Sequence, residues 1–427
     1  MNTNLQSFAL KGNILYCPDK NRIISAENHY LVCINGKVEG VFETLPACYS
    51  DIRVEDKGNR LIIPGLIDLH THAPQYAYRG LGMDRELLDW LQTYAFPEEA
   101  KYADLEYARK AYRIFADALL AGATTRACIF ATIHVDATVL LMDILESTGI
   151  KAMVGKVNMD RNSPPVLCEE SADASMKETN RWLTSIAGKY KNITPVLTPR
   201  YTPACTDDLM KQLGMLSVSD KLPVQSHLSE NETEIAWVRD LCPDTDSYAQ
   251  SYDRFSLLGK DAKSIMAHCV HLSGKEIGLL KERGVFIAHC PQSNTNLASG
   301  IAPVRLFLDM GMHVGLGTDV AGGYSLSIFR AMADAAEVSK LRWKLSDDSL
   351  KPLTIPEIFY LATKGGGEFF GKVGSFEKGY EFDAVVLDDS NIPSPNSLTP
   401  LMRFERMIFI SDERNVEEKY VAGLRVK

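Results

Sequence analysis

The sequence predicts an α/β protein: a (β/α)8 TIM-like barrel with a small composite β-sandwich domain formed by the N- and C-terminal segments. Three observations carry this. Eight short β-branched or apolar runs recur between Pro64 and Gly371, with longer helical patterns between them. Both ends of the chain consist instead of short apolar runs broken by turns. Five of the nine histidines fall at the C-terminal ends of the strand-like runs, which is the face of a parallel barrel where active sites are built.

Length and composition bound the alternatives. The chain has 427 residues, enough for one barrel of about 250 residues plus a satellite. Apolar residues make up 45% and charged residues 24%, which excludes a disordered, collagenous or coiled-coil chain. Lys and Arg number 46 against 55 Asp and Glu, a net charge of −9, and no run of five basic residues occurs. Such a chain is a poor binder of nucleic acid or anionic membranes. No stretch of 18 apolar residues exists to span a bilayer, and Met1 to Lys11 lacks the regions of a secretory signal. Nine cysteines with no Cys-x-x-Cys pair predict a reduced, cytoplasmic chain in which most thiols are buried hydrophobes.

The elements follow in order. Gly12–Tyr16, Tyr30–Ile34 and Gly40–Phe42 read as strands, with Asn35-Gly36 as a two-residue hairpin turn. Asp383–Leu387, Arg406–Ile410 and Tyr420–Gly423 repeat that texture at the other end. Neither end alone can bury a core, so residues 1–63 and 372–427 are expected to pool into one β domain. Residues 64–371 form the barrel. Its strand-like runs are Leu66–His70, Ala123–Phe130, Ala152–Val157, Thr194–Thr198, Pro223–His227, Ser264–His268, Val285–His289 and His313–Gly317. Helices are expected over Leu105–Leu120, Val135–Thr148 and Gly274–Arg283, with Val135, Val139, Met142 and Leu145 on one face. Gly122, Gly149, Gly284 and Gly311 punctuate helix ends. A doubly wound open sheet is the competing architecture, but no G-x-G-x-x-G follows any strand.

The strand ends carry the chemistry. His70-x-His72 puts two imidazoles on one strand face, because side chains there repeat every two residues. His227 supplies a third nitrogen and Asp319 a carboxylate. Three or four N/O ligands describe a catalytic zinc site with an open position, and the same ligands suit Fe(II). A second metal would want an anionic bridge such as a lysine carbamate on the fourth strand, and Thr194–Thr198 holds no lysine. One ion per chain is expected. Glu230 lies three residues past His227, placed either as a proton shuttle or as a carboxylate outside the ligand set.

Pro64-Gly65-Leu66-Ile67-Asp68-Leu69-His70-Thr71-His72 resembles the opening signature of the amidohydrolase superfamily. His227, His268 and Gly317-Thr318-Asp319 resemble its later strand-end motifs, and Gly374–Ala384 resembles its return into the β domain. A narrower resemblance, to the guanine-deaminating branch, rests on His72–Tyr76, Phe130–His134, Val154–Val157, Thr198–Tyr201, Gln225–Asn231 and Gly317–Ser325. Pro74 and Tyr201 depart from that branch, where Ser and Phe are common. The resemblance implies zinc-dependent hydrolysis of a purine's exocyclic amine, guanine giving xanthine and ammonia, by a homodimer. It implies His70, His72, His227 and Asp319 as metal ligands and Glu230, His268 and Asp319 as catalytic groups. It also implies Gln75, Arg200 and Tyr201 as contacts to the purine. Arg200 as a mere ion pair, and Trp90 and Tyr76 as core packing, are the structural alternatives; His289 receives no role. The rival functions are another aminohydrolase, acting on a pterin, cytosine, 8-oxoguanine or an aminotriazine, and a non-catalytic scaffold, which should have lost ligands.

Overall fold

The computed structural model describes residues 7–427, so the first part of the Met1–Lys11 segment lies outside the described residues. Its centre is a ring of eight parallel strands: β1 (Leu66–His72), β2 (Thr124–Phe130), β3 (Lys151–Gly155), β4 (Ile193–Pro195), β5 (Val224–Leu228), β6 (Ser264–His268), β7 (Phe286–His289) and β8 (His313–Leu316). Hydrogen bonds join them in two runs, β1 to β4 and β5 to β8. A parallel bridge from Leu197 to Val224 closes one gap between the runs. All seven residues of β2 are buried, as expected of strands covered on both faces.

Local chemistry sets the helix limits. Asp104 caps Leu105–Ala121 by accepting from the Glu106 and Tyr107 N–H groups. Ser273 and Glu276 form a capping box at the start of Gly274–Arg283. Gly149, Gly284 and Gly311 adopt the left-handed conformation, whereas Gly122 is extended and ends its helix without that turn.

The two ends of the chain meet in one seven-stranded mixed sheet. Its order is Leu424–Arg425, Val416–Val421, Ala384–Leu387, Arg53–Pro64, Phe8–Asp19, Arg22–Ile34 and Lys37–Phe42. Asn35 and Gly36, at φ 50° and 77°, make the expected hairpin turn, with Ile34 opposite Lys37. Two differences from the sequence reading have physical causes. Arg53–Pro64 forms a strand within the sheet although its first half is polar and mostly exposed; its one apolar run, Leu61–Ile63, is too short to mark a twelve-residue strand. Arg406–Ile410 is not a strand; it ends the helix Pro400–Ile410, capped by Thr399, with Phe404, Met407 and Ile408 buried at helical spacing. No disulfide links the nine cysteines, seven of which are buried. Among the described residues no helix is long and apolar enough to cross a membrane.

Sheet and barrel are joined by buried charge. Arg126 on β2 donates to Asp383 and to Glu381, each at 2.6 Å. Lys419 donates to the carbonyls of Leu119, Gly122 and Thr124 at 2.9 to 3.0 Å.

The second gap, between β8 and β1, closes through side-chain and backbone bonds together. The Asp319 N–H donates to the His70 carbonyl at 2.8 Å. The Asp68 carboxylate takes the N–H of His70 at 3.2 Å, the N–H of Thr318 at 3.0 Å and the Thr318 hydroxyl at 2.6 Å. Burial pushes the Asp68 carboxyl up to about 7, so these three donors are what offset its desolvation. Asp68→Ala strands them and is expected to cost at least about 2 kcal/mol. The shift of the urea midpoint measures this, and a cost under about 0.5 kcal/mol would show that the clamp does not hold the ring.

Candidate metal centre and adjoining pocket

Barrel closure brings the strand ends to a point. His70 and His72 come from the end of β1, His227 from β5 and His268 from β6, and Asp319 lies three residues beyond β8. His72 Nε2 is 3.3 Å from His70 Nε2 and 3.2 Å from His227 Nε2. Asp319 Oδ1 is 3.1 Å from His70 Nε2 and 3.3 Å from His72 Nε2. Asp319 Oδ2 lies 3.7 Å from His268 Nε2. The Phe130 ring walls the cluster, its centroid 4.5 to 5.0 Å from those of His70, His72 and His227. His268 and Asp319 hold left-handed backbone conformations, φ 72° and 46°, of the kind that persists where the surroundings over-determine it.

The hydrogen bonds around the cluster fix where lone pairs point. The Arg200 carbonyl lies 2.5 Å from His227 Nδ1; a carbonyl only accepts, so Nδ1 carries the proton and Nε2 presents its lone pair to the cluster. Asn294 Oδ1 stands 2.8 Å from His268 Nδ1 in the same relation. Burial holds His72 down to about 4 despite the pull of Asp319. Burial, reinforced by the other imidazoles, holds His227 well below the usual histidine range. Burial would raise Asp319, but the His70, His72 and His268 rings outweigh it and keep the carboxyl well below the carboxylate range. Neutral imidazoles and an ionised carboxylate aimed at one point are the donor set a divalent cation needs. Three overlapping triads bring their ligand atoms within 4.8 Å of one another: His70, His227, His268; His70, His72, Asp319; and Glu230, His268, Asp319.

A pocket opens beside the cluster. His72, His227, His268 and Asp319 form its floor with Glu230 and Glu234; Leu87, Trp90, Leu91 and Leu297 form apolar walls; Gln75, Arg200 and Tyr201 complete it. Glu230 Oε2 is 3.4 Å from His268 Nε2, and the Ser299 hydroxyl is 3.4 Å from Glu230 Oε1. Burial, with the charges of Asp319 and Glu234, pushes the Glu230 carboxyl well above its usual range. Glu234 holds the adjoining turn by accepting the Glu230 N–H at 3.0 Å and the Tyr248 hydroxyl at 2.6 Å.

Every site residue expected from the sequence lies in this cluster or pocket, His70 behind the floor and the others on its lining. Trp90 also lines it, whereas Tyr76 turns away under Arg79 and borders a different cavity. His289 lines a third, small cavity and has no part in the cluster. The sequence reading missed Glu99. Buried at 2% exposure, it binds Gln75 Nε2 at 2.8 Å and Arg200 Nη1 at 2.5 Å. Arg200 is therefore ion-paired, but at the pocket wall rather than on the surface. No spacing marked Glu99, which sits in the short helix Phe96–Ala100 of the β1–β2 connection. Asp68 had a signal, two residues before His70 in the same motif.

Comparison with known proteins agrees with the geometry. The model of the amidohydrolase family matches residues 61–426. Guanine deaminase of Dictyostelium discoideum is 41% identical over 382 residues, 88% of this chain and 84% of its own. Human guanine deaminase is 38% identical over 392 residues, 89% of this chain and 86% of its own. The crystal structure of guanine deaminase from C. acetobutylicum, with guanine bound in the active site, is 44% identical, covers 98% of this chain and 100% of its own, and superposes with a TM-score of 0.95. The chain belongs to the amidohydrolase family and, within it, to the guanine deaminases.

Proposed function

We propose that the chain hydrolyses guanine to xanthine and ammonia, with one zinc ion per chain held by His70, His72, His227 and Asp319. The observation that carries this reading is the continuity of the site: the Nε2 atoms and the Asp319 carboxylate share one pocket with Glu230, Gln75 and Arg200. Such a pocket suits a flat heterocycle with an amine over the cluster and a hydrogen-bonding edge on the far wall. The ligand chemistry fits zinc, and Fe(II) equally by donor type. When bound, the ion supplies the acidification of water that makes a nucleophile available at neutral pH.

The chain's own groups do the rest. Water adds its oxygen to the ring carbon bearing the amine, and the carbon–nitrogen bond to that amine breaks. Glu230 takes a proton from the water and delivers it to the adjacent ring nitrogen, then serves the departing amine, so that nitrogen leaves as ammonia. Asp319 accepts the proton remaining on the added oxygen as the carbonyl forms, and that proton, relayed by Glu230, is the one the departing amine takes. His268, held by Asn294, faces that oxygen and orients it. Gln75 and Arg200 grip the purine edge, and Tyr201 and the leucine walls exclude water from its face. We also infer a cytoplasmic homodimer. Nine unpaired cysteines suit a reducing compartment. Exposed Leu341, Leu345, Met402, Phe409 and Ile410 lie on two helices that touch each other, an apolar area that a second copy would cover.

Glu230→Gln keeps the shape of the side chain but carries no proton. It is expected to retain its metal and lose about 10²- to 10⁴-fold in kcat. Retention of more than about half the wild-type kcat would remove Glu230 from the shuttle role.

Ammonia release from guanine, adenine, cytosine, 8-oxoguanine, an aminotriazine and a pterin tests the substrate. Guanine is expected to have the highest kcat/KM, with adenine poorer by at least ~10⁴- to 10⁵-fold, because in guanine's pose its amine meets the Arg200 donors and the reacting carbon carries no amine to release. Arg200→Ala should lower guanine turnover strongly and leave metal content unchanged. Preference of the wild type for any other compound in the panel would overturn the guanine assignment in favour of that rival.

A further inference from the structure

We infer that Glu99 is a positioning residue that sets substrate specificity by fixing Gln75 and Arg200 so that their free N–H groups, and chiefly those of Arg200, face the pocket. The inference rests on the guanine-deaminase reading and adds to it which chemistry the wall selects.

The hydrogen-bond accounting leaves one arrangement. A carboxylate facing a guanidinium offers acceptors and no donor. Glu99 Oε2 takes Arg200 Nη1 at 2.5 Å, so Oε1 is left for Gln75 and can be satisfied only by its amide nitrogen, at 2.8 Å. The other end of the same amide is fixed independently. The Ala321 N–H points at Gln75 from 3.1 Å and can be met only by Oε1. Both ends of the Gln75 amide thus demand the same orientation, and one lone pair of its carbonyl is taken. Gln75 keeps one N–H for a ligand, and its only other free site is the second lone pair of a carbonyl already turned to the Ala321 N–H. Arg200 is held from two sides, by Glu99 and by the Phe96 ring 5.0 Å beneath its guanidinium carbon. Its remaining N–H groups have no protein acceptor among the described residues.

All three side chains are 2 to 3% exposed, so none can swing into water to present a different face. A ligand at this wall must bring adjacent acceptors, such as a carbonyl oxygen beside an unprotonated ring nitrogen. An amine in place of the carbonyl meets donors with donors. Glu99 does not face the metal cluster; it acts through Gln75 and Arg200.

Competitive inhibition by two purines that differ at this one position reads the effect. Hypoxanthine presents a carbonyl beside its ring nitrogen; adenine presents an amine there. In the wild type the inhibition constant for hypoxanthine should be lower than that for adenine by at least about tenfold. Glu99→Gln leaves one acceptor oxygen, which can take a hydrogen bond from only one of its two partners, and turns an N–H₂ donor toward the other. Gln75 must then rotate or lose a bond, and the wall gains an acceptor. The ratio should fall below about threefold, chiefly by weaker hypoxanthine binding, with metal content unchanged. Glu99→Asp keeps the charge but is one methylene too short to hold both partners, and it should give an intermediate ratio. It also serves if Glu99→Gln does not fold.

Equal inhibition by both purines in the wild type would overturn the inference. So would variants in which both constants shift by a common factor, which is the mark of a merely structural role. Absence of ammonia release from guanine by the wild type would instead remove the underlying reading. Guanine turnover with a ratio unmoved by either variant would remove only the role given to Glu99.

Discussion

Asp319 is where the closure of the barrel and the chemistry of the site become one constraint. Its N–H bonds the His70 carbonyl, so the loop after β8 is pinned to β1. Its carboxylate stands 3.1 to 3.7 Å from the Nε2 atoms of His70, His72 and His268. Holding a residue at φ 46° requires surroundings that do not yield. The neighbouring clamp of Asp68 on Thr318 supplies part of that rigidity. Loosening the ring at this seam would therefore displace the carboxylate from the imidazoles as well as expose the core.

Function is divided between two supports of different kinds. The cluster stands on strand ends, which the barrel's hydrogen bonds hold in register. The far wall stands on the β1–β2 connection, which supplies Gln75 and Glu99, and on Arg200, whose N–H bonds the Asn158 carbonyl at 3.2 Å where Thr198–Pro199 pairs with Val157–Asn158. There a buried triad of Gln75, Glu99 and Arg200 ties these separate pieces of the chain together through their side chains. A buried ion pair is weak evidence for stability, because desolvation can cancel its attraction. Its use here is orientation, since three side chains with few alternatives leave a defined donor pattern facing the pocket.

The sequence made the barrel and the cluster legible for a physical reason. Strand ends in a parallel barrel converge, so histidines at those ends announce a site, and His70-x-His72 follows directly from the two-residue period of a strand. Helices with strong caps, such as Gly274–Arg283, were equally plain. What was not legible depended on tertiary context. Arg53–Pro64 gains its place in the sheet by pairing with Phe8–Asp19 and Ala384–Leu387, not by its own polar first half. Arg406–Ile410 is too short an apolar run to tell strand from helix until Thr399 and Pro400 are seen to start a turn. Glu99 could not be found by pattern at all, because its partners lie 24 and 101 residues away.

The central claim is that one cation sits where His70, His72, His227 and Asp319 converge, and that the pocket beside it is built around that cation. Anomalous diffraction from crystals of the zinc-loaded protein, collected on both sides of the zinc edge, tests this most directly. The account predicts a single peak per chain within about 2.0 to 2.2 Å of the three Nε2 atoms and an Asp319 oxygen. A second peak in the cluster, or a single peak bound elsewhere with these four residues left bonded only to one another, would contradict it.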